Sequence, residues 1–379
     1  MSEDRCVLLL ENGSIYHGMY TGDIDAEGRV AECVFNTSLS GYEEIITDPS
    51  YRGQFVVFTY PSIGNTGITE EDFESTEPFL EGIVVKDIFN KPSNWRHKKN
   101  LVDYMADKKK PIFYDLDTRK LVREIRESGS MMSLMIKPPT EITDNWITKQ
   151  TEKLKKIGSM SGKNLADVFN GSHVQSLLPE KSSFSNKVAV LDFGIKKSIL
   201  TNFIDRELEP VIYAGCKPLS EQGFDAANYK GVFLSNGPGD PAAVHEGIEN
   251  IRFILEETKL PVLGICLGYQ LLSLALGLKT FKLKFGHHGG NQPVFFSDKN
   301  QVWITAQNHW FAVDQQSLKK YLQENDSALE INPNDDTAEG YRFNYKGRPI
   351  FAVQYHPEAA PGPNDAQPLF DTFKASLLK

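Results

Sequence analysis

The sequence predicts an α/β protein with a C-terminal, doubly wound, mostly parallel sheet preceded by a smaller α+β domain. Its 379 residues are enough for two domains of ordinary size. Up to about residue 140, short apolar runs mix with two helical patterns without strict alternation, which is typical of α+β structure. From residue 187 onward, apolar runs alternate with amphipathic stretches, which is the pattern of a parallel sheet covered by helices.

The N-terminal domain is predicted over residues 1–145. Apolar runs at 6–10, 55–60 and 82–86 predict strands, and Asn12-Gly13 predicts a hairpin turn after the first of them. Leu121, Val122 and Ile125 recur at helical spacing within a helix predicted over 118–128. A further helix is predicted over 98–109.

A connector is predicted over residues 146–186. Serine and glycine mingle there with Lys149, Lys153, Lys155, Lys156 and Lys163, and Pro-Glu-Lys-Ser-Ser at 179–183 is typical of a linker. A solvated helix and linker explain the lysines better than a binding patch for an acidic partner does.

The C-terminal domain is predicted over residues 187–379. Its helices are expected over 196–207 and 247–257, and catalytic residues at the carboxyl ends of its parallel strands. The expected strands lie at 188–192, 210–214, 231–235, 261–265 and 350–354.

Composition excludes several classes of function. The formal charge of −9 disfavours nucleic-acid binding, which needs a basic excess or face. Four cysteines without a CxxC pair indicate reduced thiols rather than a disulfide framework or zinc site. The acidic start predicts no targeting peptide, and no apolar run is long enough to span a bilayer. We therefore expect a cytoplasmic protein.

Gly-Ile-Cys-Leu-Gly at 264–268 carries the sharpest chemical signal. It lies between a buried strand and an apolar helix, which is the arrangement of a nucleophile elbow with Cys266 as the nucleophile. A helix N-terminus favours the thiolate, and backbone amides there can bind an oxyanion. A buried structural cysteine in a glycine-rich turn is the alternative.

The base for this thiol is predicted further along the chain. His356 follows the apolar strand at 350–354, with Pro357 and Glu358 directly after it. His356 would exchange protons with the thiol and the leaving amine, and Glu358 would fix the imidazole tautomer. A loop histidine in a simple ion pair is the alternative, but the elbow and the His-Pro-Glu support each other.

Other polar motifs give weaker indications of a binding site. The loop at 236–241 lacks the Lys-Ser/Thr of a phosphate-binding loop and suits a small polar substrate better. His287 and His288 are neighbours on a predicted strand, with no cysteine or carboxylate at ligand spacing, so no metal site is predicted. His309 is interpreted as structural.

With these residues assembled, the C-terminal half resembles the class I (triad) glutamine amidotransferases. Further motifs resemble the small-subunit family of carbamoyl-phosphate synthetases, and they cover nearly the whole chain except the connector. In the C-terminal half these are SNGPGDP at 235–241, KFGHHGGN at 284–291, TAQNH at 305–309, HPEA at 356–359 and PGP at 361–363. In the N-terminal half they are FNTS at 35–38, GYEEI at 41–45, TDPSY at 47–51, TYP at 59–61, PSNWR at 92–96 and DTR at 117–119.

The resemblance implies a glutaminase. Cys266 would attack the side-chain amide of glutamine, His356 would shuttle the proton, and Glu358 would orient His356. Leu267 and Gly239 would supply the oxyanion-binding amides. The ammonia would pass to a large synthetase subunit that holds ATP and Mg²⁺ and makes carbamoyl phosphate for pyrimidine and arginine synthesis; no cofactor is expected in this chain. The glutamine-binding residues would be Ser50, from the N-terminal domain, with Gly237, Gly239, Leu267, Gln270, Asn308, Trp310 and Phe311.

Three positions depart from the family pattern. Tyr269 stands where histidine is frequent, Trp310 where glycine is usual, and Ala360 where serine is common. Two other interpretations stay open at this point. One is the glutaminase of another amidotransferase, such as one serving anthranilate or guanylate synthesis, which the N-terminal motifs disfavour. The other is a catalytically weak docking subunit that binds glutamine and regulates its partner.

Overall fold

A computed structural model describes residues 4–178, 184–323 and 327–378. Contacts divide the chain into two compact units, one of residues 1–73 and 77–161 and the other of residues 74–76 and 162–379. The linker motif predicted at 179–183 lies outside the described residues.

The first unit is built on a closed seven-stranded barrel, in the order β1-β2-β8-β6-β4-β3-β9. The predicted hairpin after the first strand is present, with Leu9 opposite Ile15. Closing the sheet removes its exposed edges. The elements are β1 Asp4–Leu10, β2 Ile15–Thr21, β3 Arg29–Asn36, α1 Tyr42–Thr47, β4 Gln54–Phe58, β5 Ser62–Ile63, β6 Gly82–Val84, β7 Asp87–Ile88, α2 Leu101–Asp107, β8 Ile112–Tyr114, α3 Thr118–Ser128, β9 Met131–Ile136 and α4 Asp144–Ile157.

Helix α4, Asp144–Ile157, overlaps the first part of the predicted connector, but it packs in the first unit. Thr143 caps it, because its side chain accepts from the amide of Trp146. Leu154 is buried with Val7, Leu9 and Leu134 of the barrel. Residues 146–161 therefore belong to the first unit and residues 162–186 to the second. The predicted limits 1–145, 146–186 and 187–379 stay a prediction.

The second unit contains a nine-stranded sheet in the order β11-β10-β12-β13-β18-β17-β15-β14-β16. Its first five strands are parallel, as predicted, and the others extend the sheet antiparallel. The elements are α5 Ser172–Gln175, β10 Asn186–Asp192, α6 Lys197–Ile204, β11 Leu208–Ala214, β12 Gly231–Leu234, α7 His245–Glu257, β13 Val262–Ile265, α8 Leu267–Ala275, β14 Thr280–Phe296, β15 Gln301–Val313, α9 Gln315–Gln323, β16 Ser327–Ile331, β17 Ala338–Tyr345, β18 Arg348–Val353 and α10 Pro368–Leu377.

Two apolar clusters cover the faces of this sheet. One joins Leu191 and Leu234 to α7 and α8, and the other joins Val190 and Phe233 to α6 and α10. Because helices cover both faces, the parallel strands are apolar on both sides. The carboxyl ends of β13 and β18, which are neighbours in the sheet, therefore meet at one edge, and Cys266 and His356 follow those two strands.

Candidate active site

Cys266 occupies a strained turn between β13 and α8. Its φ of 54° and ψ of −105° lie outside the regions that a side chain adopts freely. Its amide donates to the carbonyl of Val353 at 2.8 Å, which ties the turn to the neighbouring strand. A Cβ at position 268 would collide with the carbonyl of Leu234, so only glycine lets α8 start this close to the sheet. The predicted strand-to-helix elbow at Cys266 is present, and the role of Cys266 as nucleophile stays a prediction.

His356 and Glu358 form a buried hydrogen-bonded pair beside this elbow. His356 Nδ1 lies 2.6 Å from Glu358 Oε1, and both residues are less than 5% exposed. Burial lowers the pKa of His356, but the Glu358 carboxylate and the interaction with Cys266 outweigh it and raise that pKa to about 10. Within the described residues, His356 Nε2 makes no hydrogen bond of ordinary geometry, so the pairing with Glu358 leaves this nitrogen for proton transfer.

Lys196 is a third buried residue bonded to this pair, and the sequence analysis did not predict it. Its Nζ donates to Glu358 Oε1 at 2.9 Å and to the carbonyls of Ala359 and Ala360 at 3.0 and 2.9 Å. Burial raises the pKa of Glu358, but the charges of Lys196 and His356 outweigh it and lower that pKa to about 2. Glu358 is therefore ionised at neutral pH. A lysine in the cap position before α6, where short polar residues are preferred, was the available signal.

Several residues predicted to bind glutamine lie around the elbow. The Cys266 thiol donates to the carbonyl of Asn308 at 3.6 Å. Gln270 Nε2 donates to the carbonyl of Phe311 at 2.7 Å, which fixes β15 against α8. A Cβ on Gly237 would lie 3.0 Å from the Leu267 side chain, so that loop approaches the first turn of α8. These residues are brought together as predicted, while their roles stay predictions.

Gly239 and Ser50 have different surroundings. Gly239 has a φ of 97°, and a Cβ there would lie 2.8 Å from the carbonyl of Lys163 and the amide of Leu165. Residues 163–165 thus press on this loop and require glycine. Ser50 belongs to the first unit, in the short 3₁₀ helix Pro49–Tyr51, where it is buried and its amide donates to the side chain of Asp48. That Ser50 contacts glutamine stays a prediction.

The unusual residues Trp310 and Tyr269 are accommodated within the fold. The Trp310 ring lies 4.2 Å from the ring of His288, centroid to centroid, and His288 Nδ1 is 2.9 Å from Asn308 Oδ1. Burial lowers the pKa of His288 to about 3, so this ring is neutral. Tyr269 is fully buried in the α8 core and donates to the carbonyl of Ala338. Trp310 therefore packs on the imidazole that contacts Asn308, a residue of its own strand β15.

His287 and His309 belong to a buried polar network with Glu339, and donor atoms of these three residues lie within 4.8 Å of one another. The sequence showed no carboxylate nearby; the fold brings Glu339 from β17. Burial lowers the pKa of His287, but hydrogen bonds and charges of Asp335 and Glu339 outweigh it and raise that pKa to about 10. His287 Nδ1 lies 3.1 Å from Gln307 Oε1 and Nε2 lies 2.8 Å from Asp335 Oδ2, so both ring nitrogens are used in hydrogen bonds. The predicted lack of a metal stays a prediction.

The other cysteines differ from Cys266 in their surroundings. Burial raises the pKa of Cys6, Cys33 and Cys216 to about 12 in each case. Thiols with such values stay protonated and are poor nucleophiles. All four cysteines are free, and Cys266 is the one at a strand-to-helix elbow with a histidine beside it.

Replacing Glu358 with glutamine should make stability less dependent on pH. The raised pKa of His356 stabilises the fold fully below its ordinary value of 6.5, and this contribution fades as pH rises towards 10. The lowered pKa of Glu358 stabilises the fold above 4.5, and this contribution fades as pH falls towards 2. Urea unfolding should therefore show a larger difference between wild type and Glu358→Gln at pH 5.5 than at pH 9.5. Equal differences at both pH values would contradict the assignment.

The fold and the site together define a class I glutamine amidotransferase. The family model described as glutamine amidotransferase class-I matches residues 189–376, the part that contains the elbow and the His-Glu pair. The solved structure of a glutamine amidotransferase from Thermotoga maritima covers 52% of this chain and 85% of its own, at 18% identity and a TM-score of 0.32, which is too weak a likeness to support the assignment further.

The chain belongs to the carbamoyl phosphate synthase small chain family. The model described as carbamoyl-phosphate synthase small chain, CPSase domain, matches residues 8–135. The carbamoyl phosphate synthase small chain of Nostoc sp. is 42% identical over 97% of this chain and 94% of the relative. That of Aquifex aeolicus is 42% identical over 97% of each. The predicted family, fold class and enzyme class, a glutamine-hydrolysing small subunit, are thereby confirmed.

Within the described residues, the helices are all too short or too polar to cross a membrane.

Proposed function

We propose that this chain hydrolyses L-glutamine with a Cys266–His356–Glu358 triad and supplies the ammonia to a larger synthetase subunit. The 2.6 Å hydrogen bond between His356 and Glu358, next to a cysteine on a strained elbow, supports it most strongly. A nucleophile, a base and a residue that orients the base are the set that acyl transfer requires.

In the first half of the reaction, Cys266 Sγ attacks the side-chain amide carbon of glutamine. Its proton goes to His356, whose raised pKa lets the ring hold it. The amides of Leu267 and Gly239 bind the developing oxyanion. His356 then protonates the nitrogen as the carbon–nitrogen bond breaks, which leaves a glutamyl thioester and ammonia.

In the second half, His356 takes a proton from water as its oxygen attacks the thioester carbon. The carbon–sulfur bond then breaks, glutamate leaves, and His356 passes the proton to Cys266 Sγ. Glu358 stays ionised throughout because Lys196 is bonded to it. It therefore stabilises the imidazolium that forms in each half-reaction. Gln270, Asn308, Trp310 and Phe311 form the proposed glutamine site together with Gly237, Gly239 and Leu267, and the role of Ser50 in binding glutamine stays a prediction.

The proposed partner is the large carbamoyl-phosphate synthetase subunit. It would hold ATP and Mg²⁺ and combine the ammonia with bicarbonate to make carbamoyl phosphate, for arginine or pyrimidine synthesis. The name that these relatives carry, carbamoyl phosphate synthase small chain, supports such a division of labour. The cytoplasmic location expected from the sequence is part of the same proposal.

Purification of the chain with its natural partner tests this function. The complex should make carbamoyl phosphate from ATP and bicarbonate with either glutamine or ammonia as the nitrogen source. After Cys266 is alkylated, ammonia should still support the synthesis and glutamine should not. A chain that purifies alone and does not enable glutamine use would contradict the proposed partnership.

A further inference from the structure

Helix α6 begins without a cap of its own. Its cap residue is Lys196, whose side chain makes no capping hydrogen bond because an ammonium group has no acceptor to offer the helix amides. Its Nζ is bonded instead to Glu358 and to the carbonyls of Ala359 and Ala360. A lysine in this position offers the first amides of the helix no side-chain acceptor and adds positive charge to the positive end of the helix dipole. Both effects disfavour the conformation that brings Lys196 to the triad.

Glu74, which is distant in the sequence, supplies acceptors for the first amides of α6 and a negative charge near them. Its carboxylate Oε2 accepts from the amide of Ser198 at 3.1 Å and from the Ser198 hydroxyl at 2.7 Å. Its backbone carbonyl accepts from the amide of Lys197 at 2.9 Å. The first two amides of α6 are therefore both bound by Glu74, and a negative charge lies at the positive end of the helix.

The segment that carries Glu74 is short and well anchored. Residues 74–76 belong to the second unit, while the residues before and after them belong to the first. The amide of Thr76 donates to the carbonyl of His173 at 2.9 Å, and Glu74 and Ser75 are 2% and 0% exposed. The N-terminal part of the chain thus places a buried carboxylate in the amidotransferase unit.

We propose that Glu74 is a positioning residue of the glutaminase, which caps α6 from outside the helix and thereby holds Lys196 on Glu358. This inference rests on the proposed triad. Glu74, Lys196, Glu358 and His356 form a buried series of alternating charge. Burial raises the pKa of Glu74 to about 7, against the lowering effects of Lys196 and Ser198, and the charge of Glu358 raises it too. The carboxylates of Glu74 and Glu358 therefore both interact electrostatically with the charge of Lys196.

The test is the steady-state kinetics of glutamine hydrolysis by the complex with the large subunit, for Glu74→Ala and Glu74→Gln. At pH 8.5, where a carboxyl with a pKa of about 7 is ionised, loss of the charged cap should lower kcat of Glu74→Ala about tenfold, since a hydrogen bond to a charged group is typically worth that factor or more. KM should stay within about twofold, because Glu74 does not belong to the proposed glutamine site. Glu74→Gln keeps an acceptor oxygen for Ser198 and should lie between wild type and alanine.

Glu77→Gln is the matched control. Glu77 lies three residues away, is exposed and pairs with Lys108 at 2.9 Å, so both kinetic constants should be unchanged. If Glu74→Ala does not fold, Ser198→Ala should still show a smaller loss of kcat alone. Wild-type kcat in Glu74→Ala, or a loss confined to KM, would overturn the positioning role. A Cys266→Ser variant that hydrolyses glutamine as fast as wild type would instead overturn the triad itself.

Discussion

Cys266→Ser is expected to lower kcat for glutamine hydrolysis on the order of a thousandfold or more, as removal of a catalytic nucleophile does. The substitution exchanges sulfur for oxygen in a turn that both residues can occupy, so the fold should be preserved. A serine hydroxyl at this elbow is a much weaker nucleophile, because a hydroxyl gives up its proton far less readily than a thiol does. Ammonia release from glutamine measures the effect directly.

Cys216→Ser is the matched control for that experiment. Cys216 lies in the same unit and is free, but burial raises its pKa to about 12. Its replacement should leave kcat within about twofold of wild type. Equal activity of wild type and Cys266→Ser would favour the docking-subunit interpretation over the triad.

Lys196→Met should damage both stability and catalysis. The lysine is 2% exposed and donates to Glu358 and to two backbone carbonyls. Methionine fills similar volume without a donor or a charge, so the Glu358 carboxylate would be left buried with His356 alone. Breaking a buried ion pair from one side costs about 3–5 kcal/mol in free energy of unfolding. We expect a loss of that size in urea unfolding and a fall in kcat of roughly tenfold to a hundredfold.

Lys187→Met separates this effect from the general loss of a lysine. Lys187 lies on β10 of the same unit and is exposed, and surface substitutions of this kind change stability by about 0.5 kcal/mol or less. If Lys196→Met were as stable and as active as Lys187→Met, the role assigned to Lys196 would be wrong.

The parallel part of the fold was predictable because its strands are short apolar runs separated by amphipathic helices. Helix α3 has the predicted limits of 118 and 128. Closure of the N-terminal barrel was not predictable, since it depends on pairings such as β1 with β9, which are distant in sequence. The antiparallel extension by β14 to β17 was also missed, because glycines and histidines interrupt its apolar pattern.

The site residues also fall into two groups: those that a short local motif marks, and those whose partners are distant in the sequence. Cys266, His356 and Glu358 could be found because each lies in a short motif at the end of an apolar strand. Glu74 could not, and Lys196 was marked only by its unusual cap position before α6, since the partners of Lys196 and Glu74 lie 162 and 124 residues away along the chain. Charge pairs of this kind leave no local pattern, and only the fold brings them together.

Trapping of the glutamyl thioester tests the central claim most directly. The complex with the large subunit, mixed with labelled glutamine and quenched in acid within the first turnovers, should carry label on the peptide that contains Cys266. The peptides of Cys6, Cys33 and Cys216 should carry none, and His356→Asn should accumulate little label. Label on another residue, or glutamine turnover at the wild-type rate without any label on Cys266, would contradict nucleophilic catalysis at this elbow.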